Sequence, residues 1–302
     1  MRFVVMNTDE DVDFSKVSSD NYTLEDKWIL DKLHTLVAEA TVNIDKYDFG
    51  VALQKTVDFL WDDFCDWYIE ISKTRLFDKE CPTRLEAMYL LNYVLGTAAK
   101  LLHPFMPFIT EEIFDNLVID GKADSIMIDN WPVASDIPEF KAEGRQMETL
   151  IGAIRSIRNV RAEMNVAPSR KASIIVVASE PAVADMFTGG KAFLEKLAGV
   201  SDLTTQSDKT GIPSTAVAAM FDGGEIYIPL EDLIDVAKEL ERLAAEREKL
   251  DGEIKRVEGK LANQEFVSKA PEKVVNAERE KLEKYRNMHA SIDDRIKSLT
   301  NN

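Results

Sequence analysis

From residue 233 onward, apolar side chains return every seventh position, and this period constrains the chain more than any other feature. One series is Leu233, Leu240, Arg247, Ile254 and Leu261, and the other is Val236, Leu243, Leu250 and Val257. Two apolar positions per heptad make a seam that one helix cannot bury alone, with a single polar interruption at Arg247. The pattern stops over residues 263–270 and restarts after Pro271, which suits the first turn of a new helix. There Val275, Leu282, His289 and Ile296 form one series, and Glu278, Tyr285, Ile292 and Leu299 the other. Two matched helices with a short connection predict an antiparallel coiled-coil hairpin over residues 231–302. At 1.5 Å per residue each arm is about 45 Å long, and a hairpin of that length is expected to project.

Upstream, the period shortens to that of a packed helical face. Thr23 and Asp26 form an acidic relative of the capping box, followed by Ile29, Leu33, Leu36, Val37, Ala40 and Ile44. Phe49-Gly50 breaks this pattern, and a second helix is expected from about Val51 to Lys73. A third runs from about Pro82 to Leu102, and a short fourth over Phe108–Leu117. Four amphipathic helices with short loops predict an antiparallel bundle within residues 1–140. Residues 118–140 read as a loop closing over it.

A long helix is expected from about Phe140 to Met164. After Pro168 the period falls to two. Ala172–Ala178 and Asp202–Gln206 read as strands, with short helices over Pro181–Phe187 and Lys191–Ala198. Asp222-Gly223-Gly224 signals a hairpin between Thr215–Phe221 and Glu225–Pro229. Residues 141–230 thus read as the long helix plus a small α+β module. The fold class expected is mainly α, with bundle, module and coiled-coil hairpin in that order.

The net charge of −17 argues at first against a nucleic-acid partner. Its distribution weakens the objection. Residues 1–150 hold 14 Lys and Arg against 29 Asp and Glu, whereas 151–230 hold 8 and 8, and 231–302 hold 15 and 17. No apolar run reaches the ~20 residues of a membrane span. The beginning of the chain lacks the pattern of a signal or transit peptide. The two cysteines, Cys65 and Cys81, carry no disulfide or metal spacing. A cytoplasmic monomer is expected.

No catalytic constellation emerges. His34, His103 and His289 lie far apart on or beside apolar helical faces and read as structural. There is no phosphate loop or dinucleotide motif. The pairs Asp62-Asp63 and Glu111-Glu112 read as solvated charge. One local signal stands out, since residues 151–171 carry Arg155, Arg158, Arg161, Arg170 and Lys171 against Glu163 alone. Spaced by three, the first three arginines form a ridge suited to phosphate. The same ridge could instead pair with the acidic bundle. Trp61, Phe64, Trp67 and Tyr68 could stack bases, but at that density most must be core.

Phe64–Lys73 (FCDWYIEISK) and Leu101–Phe114 (LLHPFMPFITEEIF) resemble the anticodon-binding bundle of the class I synthetases for valine, isoleucine and leucine. Ile154–Lys171 (IRSIRNVRAEMNVAPSRK) and Lys260–Tyr285 resemble the valyl-tRNA synthetase family specifically, the latter its coiled-coil arm. The resemblance covers nearly the whole chain in the family's order. It implies the C-terminal region of a longer enzyme, with Arg2-Phe3-Val4 similar to the tail of the helix entering the bundle. The family's His-Ile-Gly-His and Lys-Met-Ser-Lys-Ser signatures and its editing sequences do not occur in these residues. Charging of tRNA with valine using ATP and Mg²⁺, and hydrolysis of mischarged threonine, are therefore expected of the parent enzyme, with no cofactor in this stretch. What remains is binding of valine tRNA, the bundle taking the anticodon stem-loop and the arm the outer corner of the L. Arg2 and Phe3 are the implied anticodon contacts, Arg155, Arg158 and Arg161 the ridge, and Lys249, Lys255, Arg256 and Lys260 the arm's contacts. On the arm these cations are interleaved with Glu248, Glu253 and Glu258, so a solvated flank is an equal reading. The heptads by themselves support a different reading, a coiled coil that dimerises or docks on another protein without RNA.

Overall fold

The computed structural model describes residues 1–9, 11–178, 180–233, 236–269 and 271–300. It divides into two compact units, residues 1–151 and 152–302. The fold is mainly helical with one small mixed sheet, as the periods predict.

The first unit begins with α1 (Arg2–Met6), anchored by the fully buried Val4. Helix α2 (Leu24–Asp45) starts where Thr23 and Asp26 predict, the Asp26 carboxylate accepting the Thr23 N–H at 3.1 Å. It buries Trp28, Ile29, Leu30, Leu33, Leu36, Val37 and Ala40. The break after it falls earlier than Phe49-Gly50. Tyr47 takes the left-handed conformation (φ 63°), with Tyr47 N–H bonded to Ile44 O and Asp48 N–H to Asn43 O. This is a Schellman stop with a bulky residue where glycine is usual, which is why sequence misplaces it. Phe49 and Gly50 already belong to the next helix.

That helix is continuous from Phe49 to Phe77, as α3 (Phe49–Asp58), a π-helical stretch (Phe59–Ile69) and α4 (Glu70–Phe77). Helix α5 (Arg84–Leu102) is buried along most of its length, and α6 (Pro107–Asp115) starts with proline at its first turn. The following loop contains 3₁₀ turns at Ile126–Ile128 and Ala134–Asp136 and buries Ile126 and Ile137. Ile126 packs with Ala99 and Phe114. Two acidic pairs are not simply solvated. Glu111 accepts the Ser125 hydroxyl (2.9 Å) and the Ile126 N–H (3.3 Å), and Asp63 is largely buried, 3.5 Å from Lys32 Nζ. Neighbours far along the chain, invisible to local charge patterning, account for both.

Helix α7 (Lys141–Glu163) buries Met147, Leu150, Ile151, Ala153, Ile154 and Ile157. It ends in a second Schellman motif, Asn165 N–H to Ala162 O and Val166 N–H to Arg161 O, with Asn165 at φ 52°.

In the second unit the sheet is ordered β2-β1-β4-β3, from β1 (Ala172–Val177), β2 (Val200–Gln206), β3 (Val217–Phe221) and β4 (Gly224–Ile228). β1 and β2 run parallel, joined by α8 (Pro181–Gly189) and α9 (Lys191–Leu197), because parallel strands need a crossover. β3 and β4 form the expected hairpin, Gly223 taking φ 112°.

After the short α10 (Leu230–Leu233), α11 (Val236–Ala262) and α13 (Glu272–Thr300) pack on each other, with α12 (Gln264–Lys269) in the connection. Leu243, Leu250 and Ile292 form the buried seam, lined by Leu240, Tyr285 and Ile296. Val257 and Val275 are buried as well. The side chains of Val236 and Leu299 lie outside the described residues. The antiparallel register is drawn by cross-arm pairs, namely Arg247–Asp293 (3.4 Å), Asp251–His289 (3.1 Å), Glu258–Arg286 (2.7 Å) and Lys260–Glu278 (3.2 Å).

Candidate functional site

At the start of the bundle, Arg2 is exposed and Phe3 half-buried. Asn7 Nδ2 donates to Phe3 O at 2.7 Å and fixes the turn, while Lys73 Nζ stands 5.7 Å from the centre of the Phe3 ring. Lys73 is itself paired with Glu70, so what this surface offers is an aromatic ring next to the exposed Arg2, on which a base can stack. Of the four clustered aromatics, Phe64, Trp67 and Tyr68 are core, as their density predicts, and Trp61 is 69% exposed.

Behind this surface a buried polar hub holds the bundle together. Arg75 donates Nη1 to Asp26 Oδ1 (2.8 Å), Glu25 (3.1 Å) and Thr23 Oγ1 (3.0 Å), and Nη2 to Asp26 Oδ2 (2.9 Å) and Thr83 O (2.7 Å). Tyr68 donates its hydroxyl to Asp26 at 2.8 Å. Burial, then the negative charge of Asp26, pushes the Glu25 carboxyl upward, opposed by Arg75. Burial is also the first cause that raises the Tyr68 phenol well above its ordinary value.

The same unit contains a cavity of about 510 Å³ lined in part by Phe14, Tyr22, Tyr89, Tyr93, Lys100 and Trp131. Tyr89 and Tyr93 stack at 5.7 Å with 11° between their planes, and Phe14 meets Tyr89 edge-on. Burial pushes Tyr22 and Tyr93 up to about 12. The only mark of this group in the sequence is the four-residue spacing of Tyr89 and Tyr93, which puts both on one helical face.

The arginine ridge on α7 separates into different environments. Arg155 is exposed. Arg158 is exposed too and donates Nε to Leu197 O at 2.7 Å. Arg161 is only 9% exposed and donates Nη2 to the carbonyls of Ala167 (3.3 Å) and Arg170 (2.6 Å). Arg170 in turn donates to the carbonyls of Asp232 and Glu231, tying the ridge to α10. All of these bonds go to main-chain oxygens.

On the arm Lys249, Lys255, Arg256 and Lys260 are all exposed. Arg256 pairs with Glu253 at 2.6 Å and Lys260 with Glu278 at 3.2 Å. Lys249 and Lys255 have no carboxylate partner among the described residues, so on α11 they are the cations best placed to receive a phosphate. The three histidines are all bonded, His34 Nδ1 to Ile137 O (2.8 Å), His103 Nδ1 to Thr110 Oγ1 (2.8 Å) and His289 to Asp251 and Asp293. Among the described residues no three His, Cys, Asp or Glu side chains gather to hold a metal, and no helix is long and apolar enough to cross a membrane.

Residues 26–176 match the family model for the anticodon-binding domain of tRNA ligase, and residues 235–300 that for the valyl tRNA synthetase tRNA binding arm. Over 298 residues the chain is 46% identical to the valine–tRNA ligase of Clostridium perfringens, which takes in 99% of this chain and 34% of the relative. The corresponding enzyme of Clostridium tetani is 47% identical over 298 residues (99% and 33%), and that of Staphylococcus aureus 39% over 299 (99% and 34%). The chain thus spans about a third of the length of the curated relatives it matches.

Proposed function

The chain belongs to the valyl-tRNA synthetase family, and from that premise we propose that it is the region of such an enzyme that holds valine tRNA. The bundle takes the anticodon stem-loop, with Arg2 and Phe3 at its contact surface. The helix pair α11/α13 leans on the outer corner of the tRNA through Lys249 and Lys255, with Arg256 and Lys260 partly engaged by their own carboxylates. Residues 1–140, 141–230 and 231–302 act as the anticodon bundle, the joining module and the arm. The observation that carries this reading is that models for the anticodon-binding domain and the tRNA-binding arm match in one chain, on a helical bundle and on a two-helix seam respectively.

The parent reaction is ATP-dependent attachment of valine to its tRNA with Mg²⁺, accompanied by editing. In this reading ATP and Mg²⁺ serve the parent enzyme outside this stretch. The part of this chain is to bind and orient the RNA. The seam residues Leu243, Leu250 and Ile292 are buried within one chain, which favours a monomer over a coiled coil that dimerises. A cytoplasmic location goes with this role.

Fluorescence anisotropy with labelled valine tRNA tests the reading. Binding should weaken steeply with salt, fall further with Phe3→Ala by the 1–3 kcal/mol roughly worth one stacked base, and drop for a tRNA with another anticodon. Equal affinity for an unrelated tRNA, or none for valine tRNA, overturns it.

A further inference from the structure

We propose that the cleft between the end of α7 and the α9–β2 junction is a phosphate-binding site that takes a backbone phosphate of RNA. This deepens the proposed function and rests on it for the identity of the ligand. The cleft has a volume of about 610 Å³, and Arg158, Arg161 and Lys196 line it together with Asn165, Ala198 and Gly199. None of the described residues lining it is acidic.

Arg161 is the centre of the argument. Its guanidinium is buried, its Nη2 is spent on two main-chain carbonyls, and its Nη1 is shielded from solvent with no acceptor. A buried guanidinium held only by neutral acceptors lacks the countercharge that normally offsets its desolvation. That loss of solvation draws its pKa down, and no carboxylate restores it. An anion entering the cleft supplies the missing charge. Phosphate fits best, because it brings a full negative charge and several acceptor oxygens to a cleft that Arg158 and Lys196 also line.

The backbone is shaped to keep this arginine in place. Gly199 has φ +67°, and a Cβ there would stand 3.3 Å from three atoms of the Arg161 guanidinium. The Asn165 Schellman stop turns the chain so that Ala167 and Arg170 present their carbonyls to the other side. Lys196 is exposed at the rim, where it can meet an extended strand.

Two readouts on the full chain test the site. In the first, inorganic phosphate is titrated at constant ionic strength with chloride as control, following the backbone amides of Ala198 and Gly199 by NMR. They should shift in the wild type and not in Arg161→Gln. If that variant is poorly folded, Lys196→Glu, altered only at the rim, must weaken the response. In the second, valine tRNA binding is measured against salt, and Lys196→Glu should make the log–log slope shallower by about one, one phosphate contact being worth roughly 0.9. Silent amides in the wild type overturn the site. Responsive amides with an unchanged slope overturn RNA as the occupant in favour of free phosphate. A wild type that binds no tRNA while its amides still respond removes the proposed function and the RNA occupant, and leaves the anion cleft standing.

Discussion

Asp26 and Arg75 meet inside the bundle through two parallel hydrogen bonds, Nη1 to Oδ1 at 2.8 Å and Nη2 to Oδ2 at 2.9 Å, with the Asp26 side chain wholly buried. They lie 49 residues apart and join the first turn of α2 to α4. Asp26 therefore has two roles, capping its own helix and holding a neighbouring one. Removing Arg75 leaves two carboxylates buried without a cation. Arg75→Met should destabilise the bundle by about 3–5 kcal/mol. Urea denaturation followed by far-ultraviolet circular dichroism measures this, and a loss below about 1 kcal/mol refutes the hub's importance.

Glu25 gives the same hub a pH dependence. Burial first, and Asp26 second, hold its proton more tightly in the folded chain than in the unfolded one. Its contribution to stability is thus fully present below the ordinary carboxylate range and is lost as pH rises through the raised folded value. At neutral pH the ionised form carries a penalty that a neutral isostere avoids, while the Gln oxygen can still accept from Arg75. Glu25→Gln should be more stable than wild type at pH 7, with the difference closing as pH falls below the ordinary carboxyl value of 4.5. Denaturation midpoints across that range decide it, and a difference that widens in acid contradicts the assignment.

At the alkaline end the tyrosines dominate. Tyr22 and Tyr93 are pushed up to about 12 by burial, and Tyr68 lies well above its ordinary 10. Folded values above unfolded ones mean that stability is intact below pH 10 and lost as pH rises through the folded values. The tyrosinate absorbance of these three rings should therefore appear together with loss of helicity. A titration in which all seven tyrosines ionise while the helices remain intact excludes the buried placement.

Much of this architecture is legible in the sequence because it depends on short-range periods. The seam of α11 and α13, the stripes of α2, α5 and α7, and the hairpin at Gly223 all follow from spacing alone. The misplaced break at Phe49-Gly50 has a physical cause, since glycine advertises a turn and the chain instead forces Tyr47 into the left-handed region. The π-helical register of Phe59–Ile69 leaves no mark in composition. The candidate site is legible as charge but not as environment. Arg155, Arg158 and Arg161 look equivalent at spacings of three, yet only Arg161 is enclosed, because the carbonyls of Ala167 and Arg170 and the bare face of Gly199 come from later in the chain. Lys196, in a short helix with only Lys191 for a like neighbour, gives no sequence signal.

Gly199 tests that enclosure without touching a charge. Its positive φ costs an alanine about 1–2 kcal/mol, and the new methyl presses on the Arg161 guanidinium at 3.3 Å. Gly199→Ala should lower the stability of the second unit by at least that amount. Hydrogen exchange at β1 and β2 gives the local reading, and unchanged protection there would mean that the arginine is not pinned as described.

The arm contains a polar layer whose effect is separable from its stability. Arg247 reaches Asp293, and His289 lies between Asp251 (3.1 Å) and Asp293 (3.3 Å), all between apolar heptad positions. Aligned in only one register, these groups penalise any slip by a heptad, including the slipped pairings through which a second copy could associate. Arg247→Leu with His289→Leu replaces them by apolar seam residues. The arm should then melt higher, by roughly 1–3 kcal/mol of added burial, while sedimentation shows association rising with concentration. Both positions are partly exposed, so the lost ion pairs subtract little from that gain. A more stable arm that stays strictly monomeric would show that the apolar seam alone fixes the pairing.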